Sequence, residues 1–299
     1  MSFDISIAFD TAAYINTQLY MLVDTLKDKL PEDTILHLVT NRSKDDKVVK
    51  HICKNIPTKI YFNNGDKTGD LKSRCRYMFN CFDVDTDKDW LIKIEADFIV
   101  LKHLSVLDKI LDNRYDLVIE PENRKIFDDK TAERLWRIIY NKLGIETPTK
   151  KIQYRENGEW GLPLYGTGMV GINSKHLPVI QERWVPLTKL CEKWINYNIH
   201  PNEFAFTAMS FDEEWKTYLY EDIYKYNPIG HWRSGSFPSV KLIDKPIIPD
   251  DVVILDYHRP QWLMHIANNN KVIGDVLCRN SKCIPEDWWN LTNKEFLEG

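Results

Sequence analysis

Paired cysteines, long apolar runs and an excess of basic charge are all missing from this sequence. Its six cysteines, at positions 53, 75, 81, 191, 278 and 283, are scattered, with no CxxC pair. Cys278 and Cys283 have no histidine or cysteine beside them at zinc-ligand spacing. This pattern argues against a disulfide-stapled secreted scaffold and predicts reduced thiols in a cytoplasmic compartment. No apolar run approaches the roughly 20 residues needed to span a bilayer. The start, MSFDISIAFDTAAYI, carries an acid where a signal peptide would be basic, so a soluble chain is expected. A net charge of -4 supplies no global basic field, which argues against nucleic acid as a partner. Neither G-x-x-x-x-G-K-[ST] nor a strand-linked G-x-G-x-x-G occurs, which sets P-loop and dinucleotide enzymes aside. Internal repeats, low-complexity stretches and linkers are absent too, so one domain over 1–299 is expected.

What is present is ordinary in bulk and rich in aromatics. Of the 299 residues, 43% are hydrophobic and 28% charged, as in a globular protein. Aromatic residues make up 12%, ten of them tryptophans, and such rings either pack cores or line sugar and base sites. The first half alternates β-type and helical patterns. ISIAFD, TILHLVTN, TKIYFNN, the whole apolar stretch WLIKIEADFIVL and YDLVIEP read as strands. AAYINTQLYMLVDTLKDKL, KVVKHICKNI, GDLKSRCRYMFNCF and LSVLDKILDN read as helices between them. That rhythm predicts a mainly parallel sheet covered by helices on both faces. The second half is less regular, with helices expected over KTAERLWRIIYNKL, LPVIQERWVPLTKLCEKWI and NEFAFTAMSFDEEW, and strands over GMVGIN and DDVVILDYH.

Ligands of such sheets bind at the carboxyl ends of the strands. Asp10, Thr40, Asn41, Asn63, Glu95 and Asp97 all fall at or just beyond those ends. Within KIEADF, period-two alternation would put Glu95 and Asp97 on one side of a single strand. Two such carboxylates are either solvated at a strand end or hold a cation, because like charges on one face repel. His258 at the end of ILDYH is a structural residue or a further ligand, and imidazole beside carboxylates favours Mn²⁺ over Mg²⁺. Arg74 and Arg76 either meet phosphate or form the wet side of a helix. Asn202 and Glu203, after Pro201, either cap a helix or meet a sugar. Trp160, Trp232 and Trp262 stack on sugar or pack in the core.

The order of these segments resembles the nucleotide-sugar glycosyltransferases of the GT-A fold, and among them the glycogenin and galactosyltransferase-like family eight. The family's serine-arginine helix corresponds to KSRCRYMF, and its acidic metal-binding strand to IKIEADFIVL. YGTGMVGIN (Tyr165 to Asn173), HPNEFAFTAM and ILDYHRPQWL follow in the same order, so the likeness covers roughly Ile5 to Trp262. The departures are Glu95 for the first aspartate, Gly166 or Thr167 for an asparagine, and Arg259 in place of a lysine.

The resemblance implies a GT-A-like α/β fold with a Rossmann-like nucleotide-binding half, about 1–120, and an irregular acceptor half, about 121–299. It implies a hexosyl transferase moving sugar from a nucleoside-diphosphate donor to a glycan, protein or lipid-linked acceptor, with retention of configuration. Glu95, Asp97 and His258 would hold Mn²⁺ or Mg²⁺, with Glu95 alternatively on the ribose. Asp10, Thr11, Thr40, Asn41, Arg74 and Gly168 would contact the donor. Arg259 would grip the leaving diphosphate, and Asn202 and Glu203 would face the sugar as catalytic residues; if Glu203 instead acts as base on the acceptor hydroxyl, the anomer inverts. Because each motif is imperfect, the competing expectation is a non-catalytic sugar- or nucleotide-binding scaffold on a degenerate transferase fold.

Overall fold

The structure is a computed structural model that describes residues 1–9, 13–62, 80–122, 128–155, 158–195, 201–227, 233–234, 241–242, 248–257 and 260–284. A seven-stranded sheet organises it. Its strands are β1 (Phe3–Phe9), β2 (Leu36–Thr40), β3 (Thr58–Phe62), β4 (Trp90–Lys93), β6 (Leu117–Pro121), β9 (Tyr165–Asn173) and β10 (Thr217–Leu219). They lie in the order β10-β6-β9-β4-β1-β2-β3. Every pairing is parallel except those of β9, which runs antiparallel to both β4 and β6. Among the described residues there are also three short ribbons: β5 (Phe98–Val100) with β13 (Ile254–Asp256), β7 (Ile152–Gln153) with β8 (Trp160–Gly161), and β11 (Arg233–Ser234) with β12 (Lys241–Leu242).

The sheet residues divide between two cores because neighbouring side chains point to opposite faces. Leu91, Leu117, Ile119, Val170 and Ile172 face a core built with α3 (Asp129–Leu143), α4 (Leu177–Cys191) and α5 (Pro201–Asp212). Trp90, Ile92, Val118, Ile5 and Ile7 face the other, with α1 (Ala13–Leu26) and α2 (Lys47–Asn55). The aromatics expected in a packed interior are there: Trp90, Trp136 and Trp184 are fully buried. A third cluster packs α6 (Pro260–Asn269) and α7 (Lys271–Arg279) against Ile99 and Leu255 of the β5–β13 ribbon and Tyr257 just after it. Local signals set the helix ends. Asp46 accepts from the backbone N–H groups of Val48 and Val49 to start α2, and Asp128 from that of Thr131 to start α3. Gly144, at φ 74°, ends α3 in the left-handed conformation that suits glycine.

Two expectations are corrected. The stretch WLIKIEADFIVL is not one strand. It breaks after Lys93 into β4 of the main sheet and β5 of the ribbon, with a turn at Ala96 and Asp97. The acids therefore do not share a strand face. A charged pair at the centre of a buried ladder would lack solvation, and the turn moves it to the sheet's carboxyl edge. The helix expected over LSVLDKILDN is a 3-10 segment, Leu104–Lys109, begun by His103, whose ring nitrogen accepts from Ser105 N–H.

Candidate active site

The site is built at the carboxyl end of the central strands, where β9 begins and β4 and β6 stop. Pairing of β6 with β9 is regular up to Ile119 opposite Val170, then jumps so that Glu120 faces Gly166. Thr167, Gly168 and Met169 are bulged out of that ladder, and their carbonyls need other donors. Lys93, buried at the end of β4, donates to Thr167 O at 2.5 Å and to Gly168 O at 3.2 Å. The Tyr220 hydroxyl donates to Met169 O at 3.0 Å. The same Lys93 ammonium meets Glu95 Oε1 at 2.7 Å, so Glu95 leaves the strand already paired with a cation.

Beside the bulge runs a chain of buried ion pairs. Lys225 Nζ lies 2.6 Å from Glu120 Oε1 and 2.9 Å from Asp256 Oδ2. Arg155 Nη1 lies 2.7 Å from Glu120 Oε2, and its Nε 2.8 Å from Asp222. Glu120, Lys225 and Asp256 are all buried. Lys225 is shared between Glu120 and Asp256 and Arg155 between Glu120 and Asp222, so the chain is paired but not neutral. The glycines of YGTGM make room for this chain. A Cβ at Gly166 would stand 2.9 Å from Glu120 Cγ, and one at Gly168 would stand 2.7 Å from Lys225 Nζ.

Asp97 and Asp256 meet across the β5–β13 ribbon. Asp256 pairs with Phe98, and the Tyr257 N–H donates to Asp97 O at 3.3 Å. Desolvation, then the charges of Asp256 and Glu95, push the Asp97 carboxyl well above the usual carboxylate range. Asp256 Oδ2 is satisfied by Lys225 and by Asn227, but its Oδ1 is buried with no hydrogen-bond partner. Glu203, in the first turn of α5, is raised by burial and then by the charges of Glu122, Glu120 and Glu95, partly offset by Lys225. One cluster thus gathers more negative charge than Lys93, Lys225 and Arg155 return.

A divalent cation fits that donor set on two observations: the orphaned Asp256 oxygen and the adjoining Asp97 carboxyl. Among the described residues no three His, Cys, Asp or Glu side chains gather as a ligand group. The expected ligand His258 follows Asp256 by two positions and lies outside the described residues, as do Asp10, Thr11, Asn63, Arg74, Arg76, Trp232 and Arg259.

The other expected residues are placed as follows. Thr40 is buried at the end of β2, where its hydroxyl accepts from Arg42 N–H, and Asn41 is exposed beyond it. Gly168 stands between Lys93 and Lys225. Asn202 and Glu203 open α5, both buried, and Asn202 Nδ2 donates to the Thr167 hydroxyl at 3.4 Å. Trp160 is exposed and Trp262 is partly buried. Glu95, Asp97, Gly168, Asn202 and Glu203 therefore come together, while Thr40 and Asn41 sit toward the β3 edge. Sequence reading passed over Asp256, Glu120 and Lys225. Asp256 was legible as the acid that ends the strand ILD. The buried pair Glu120–Lys225 spans 105 positions and left no local signal.

No protein-family model and no curated protein matches this chain. Solved structures do. An active-site mutant of LgtC aligns with 97% of this chain and 100% of its own, at TM-score 0.55 and 12% identity. Mouse xyloside xylosyltransferase 1, in its apo form, aligns with 86% of this chain and 96% of its own, at TM-score 0.52 and 12% identity. The glycosyltransferase GlyE of Streptococcus pneumoniae TIGR4 matches 99% of this chain and 63% of its own, at TM-score 0.54 and 14% identity. The galactosyltransferase LgtC has also been solved in complex with donor and acceptor sugar analogues, and that structure aligns with 97% of this chain at TM-score 0.52 and 13% identity. What the protein shares with them is architecture: a mainly parallel seven-stranded sheet between helical layers, which is the GT-A glycosyltransferase fold.

Proposed function

We propose that the chain is a glycosyltransferase that moves a sugar from a nucleoside-diphosphate donor to an acceptor hydroxyl, with a divalent cation, Mn²⁺ by preference, and with retention of configuration. The observation that carries this reading is the Asp97–Asp256 meeting at the carboxyl end of a GT-A sheet, with Asp256 Oδ1 buried and unpartnered. Asp97 and Asp256 would hold the cation together with His258, and Glu95 would share it or meet the ribose. When bound, the ion neutralises charge on the departing diphosphate. Arg259 and Arg74 would share that task, which is the main electrostatic work when the leaving group is anionic. Asp10, Thr11, Thr40 and Asn41 would hold the nucleoside, Gly168 would approach the donor, and Asn202 and Glu203 would face the transferred sugar.

Retention follows the resemblance to family eight. Burial, then the charges of Glu122, Glu120 and Glu95, raise the Glu203 pKa; were Glu203 to act as base on the acceptor hydroxyl, the anomer would invert instead. The free thiols of Cys53, Cys81, Cys191, Cys278 and Cys283 support a cytoplasmic setting. Among the described residues no helix is long and apolar enough to cross a membrane.

The test is hydrolysis of a panel of nucleotide sugars by wild type and by Asp97→Ala, with Mn²⁺ or with chelator. One donor should be cleaved with metal only. The variant should lose more than about 100-fold, the upper end of the loss seen for residues that merely orient metal ligands. Absence of both donor cleavage and donor binding in every condition would leave the acids neutralised internally by Lys93 and Lys225, which is the scaffold reading.

A further inference from the structure

At the β6–β10 edge of the sheet lies a cavity of about 540 Å³, lined in part by Pro121, Tyr154, Arg155, Trp160, Tyr220 and Asp222. This volume lies within the range of small-ligand sites. One wall is the β7–β8 hairpin, in which Gln153 pairs with Trp160 and Ile152 with Gly161. Tyr154 N–H donates to Glu159 O at 2.8 Å, Gly158 N–H to Tyr154 O at 3.1 Å, and the Gln153 amide to Gly158 O at 3.0 Å. Gly158, at φ 67°, takes the left-handed turn that this closure needs. What these strands present is Trp160, at 59% exposure the most open aromatic side chain among the described residues. Trp160 is among the residues that line the cavity, so its indole is open to whatever occupies it.

The floor ties this cavity to the acidic cluster. Arg155 lines it, and the same guanidinium holds Glu120 Oε2 at 2.7 Å, Tyr220 O at 2.8 Å and Lys225 O at 3.3 Å. Glu120 in turn holds Lys225, and Lys225 holds Asp256. Three side-chain contacts therefore connect the pocket to the carboxylate next to Asp97. In the strand order the pocket stands on the β10–β6 side of β9 and β4, whereas Thr40 and Asn41 stand beyond β1 on the other side. The acids lie between the two.

We infer that this cavity is the acceptor subsite and that its occupant is a pyranose of a carbohydrate acceptor, stacked on Trp160. The C–H face of a pyranose is apolar and weakly positive, which matches the negative face of an indole. The Asp222 carboxylate and the Gln153 amide meet sugar hydroxyls, which both donate and accept. The inference rests on the transferase reading for the word acceptor, though not for the sugar.

The test titrates lactose, maltose, cellobiose and N,N′-diacetylchitobiose into wild type, Trp160→Ala and Val272→Ala, with binding read by calorimetry and donor hydrolysis of the wild type measured in parallel. Val272 is as exposed as Trp160 and lies on α7, away from the pocket. At least one saccharide should bind saturably, about 5- to 10-fold more weakly to Trp160→Ala and unchanged to Val272→Ala. Trp160 is mostly in solvent, so a thermal melt should confirm that its variant folds. Equal binding to all three proteins, or binding of none of the four sugars, overturns the subsite. Donor cleavage without sugar binding would sink this inference alone. Sugar binding through Trp160 without donor cleavage would sink the transferase reading and leave a carbohydrate-binding pocket.

Discussion

Gly168 explains at the level of single atoms why YGTGM carries two glycines. Its missing side chain is the space that the Lys225 ammonium uses between Glu120 and Asp256. A methyl there would meet Nζ at 2.7 Å and Cε at 3.0 Å. A lysine tip in solvent would swing away at little cost, but this one is held by two buried carboxylates. Gly168→Ala should therefore destabilise by about 1–3 kcal/mol, the usual cost of overpacking. Lys225→Ala should cost about 3–5 kcal/mol, because it leaves Asp256 buried with its charge uncompensated and Glu120 with Arg155 alone. In the double variant the added methyl occupies vacated space, so the Gly168→Ala penalty should vanish. Urea unfolding of the four proteins measures this cycle, and equal penalties in both backgrounds would show that Lys225 is not what the glycine accommodates. The first glycine was equally hard to read from sequence. G-x-G suggests backbone approaching a ligand, and here Gly166 makes way for Glu120.

At the level of elements, Asp116 holds three of them together. Its Oδ1 meets Lys175 Nζ at 2.7 Å and His176 Nε2 at 2.8 Å, after the end of β9, and its Oδ2 accepts from Lys216 N–H at 3.0 Å, before β10. Burial alone would raise its pKa, but the hydrogen bonds from Lys175, His176 and Lys216 outweigh it and bring it down to about 2. A depressed folded pKa gives stability that is present above the unfolded value, near 3.8, and lost as pH falls through the folded value, near 2. Asp116→Asn should accordingly cost about 1–3 kcal/mol at pH 7, and the gap to wild type should close as pH falls from about 4 to about 2. Denaturant titrations at pH 7, 4 and 2.5 test this, and a pH-independent gap would contradict it. Many strands and helices were legible in the sequence because their periodicity is local, whereas β10, which Asp116 holds through Lys216 N–H, was not read. ISIAFD, TILHLVTN and TKIYFNN became β1, β2 and β3, and the helices of the second half formed as α3, α4 and α5. The break between β4 and β5 was not legible. FIVL continues the apolar run of WLIK, and only pairing with residues 254–256, far along the chain, decides that it belongs to another ribbon.

At the level of the whole molecule, the candidate site is a long-range object. Glu95 and Asp97 stood out because they interrupt an apolar run, whereas Asp256 gained its meaning only when β13 was laid beside β5. The antiparallel course of β9 was equally invisible, since alternation reveals a strand and not its direction. Folding such a cluster without a cation is work done against like charge. Asp97 is raised well above its ordinary value by desolvation and by Asp256 and Glu95. A carboxyl whose folded pKa is raised stabilises the fold only while it is protonated, and that contribution is lost as pH rises through the folded value. At neutral pH and in chelator, Asp97→Asn should therefore be more stable than wild type, by about 0.5–2 kcal/mol, the range typical of relieving a functional site of its strain. The same variant should lose metal-dependent donor hydrolysis. Thermal unfolding in chelator at pH 5 and pH 8 reads the first half, with the advantage of the variant larger at pH 8. A variant less stable than wild type at pH 8 would mean that Asp97 is satisfied within the fold by groups such as Lys225, and the case for a cation between Asp97 and Asp256 would lose its electrostatic ground.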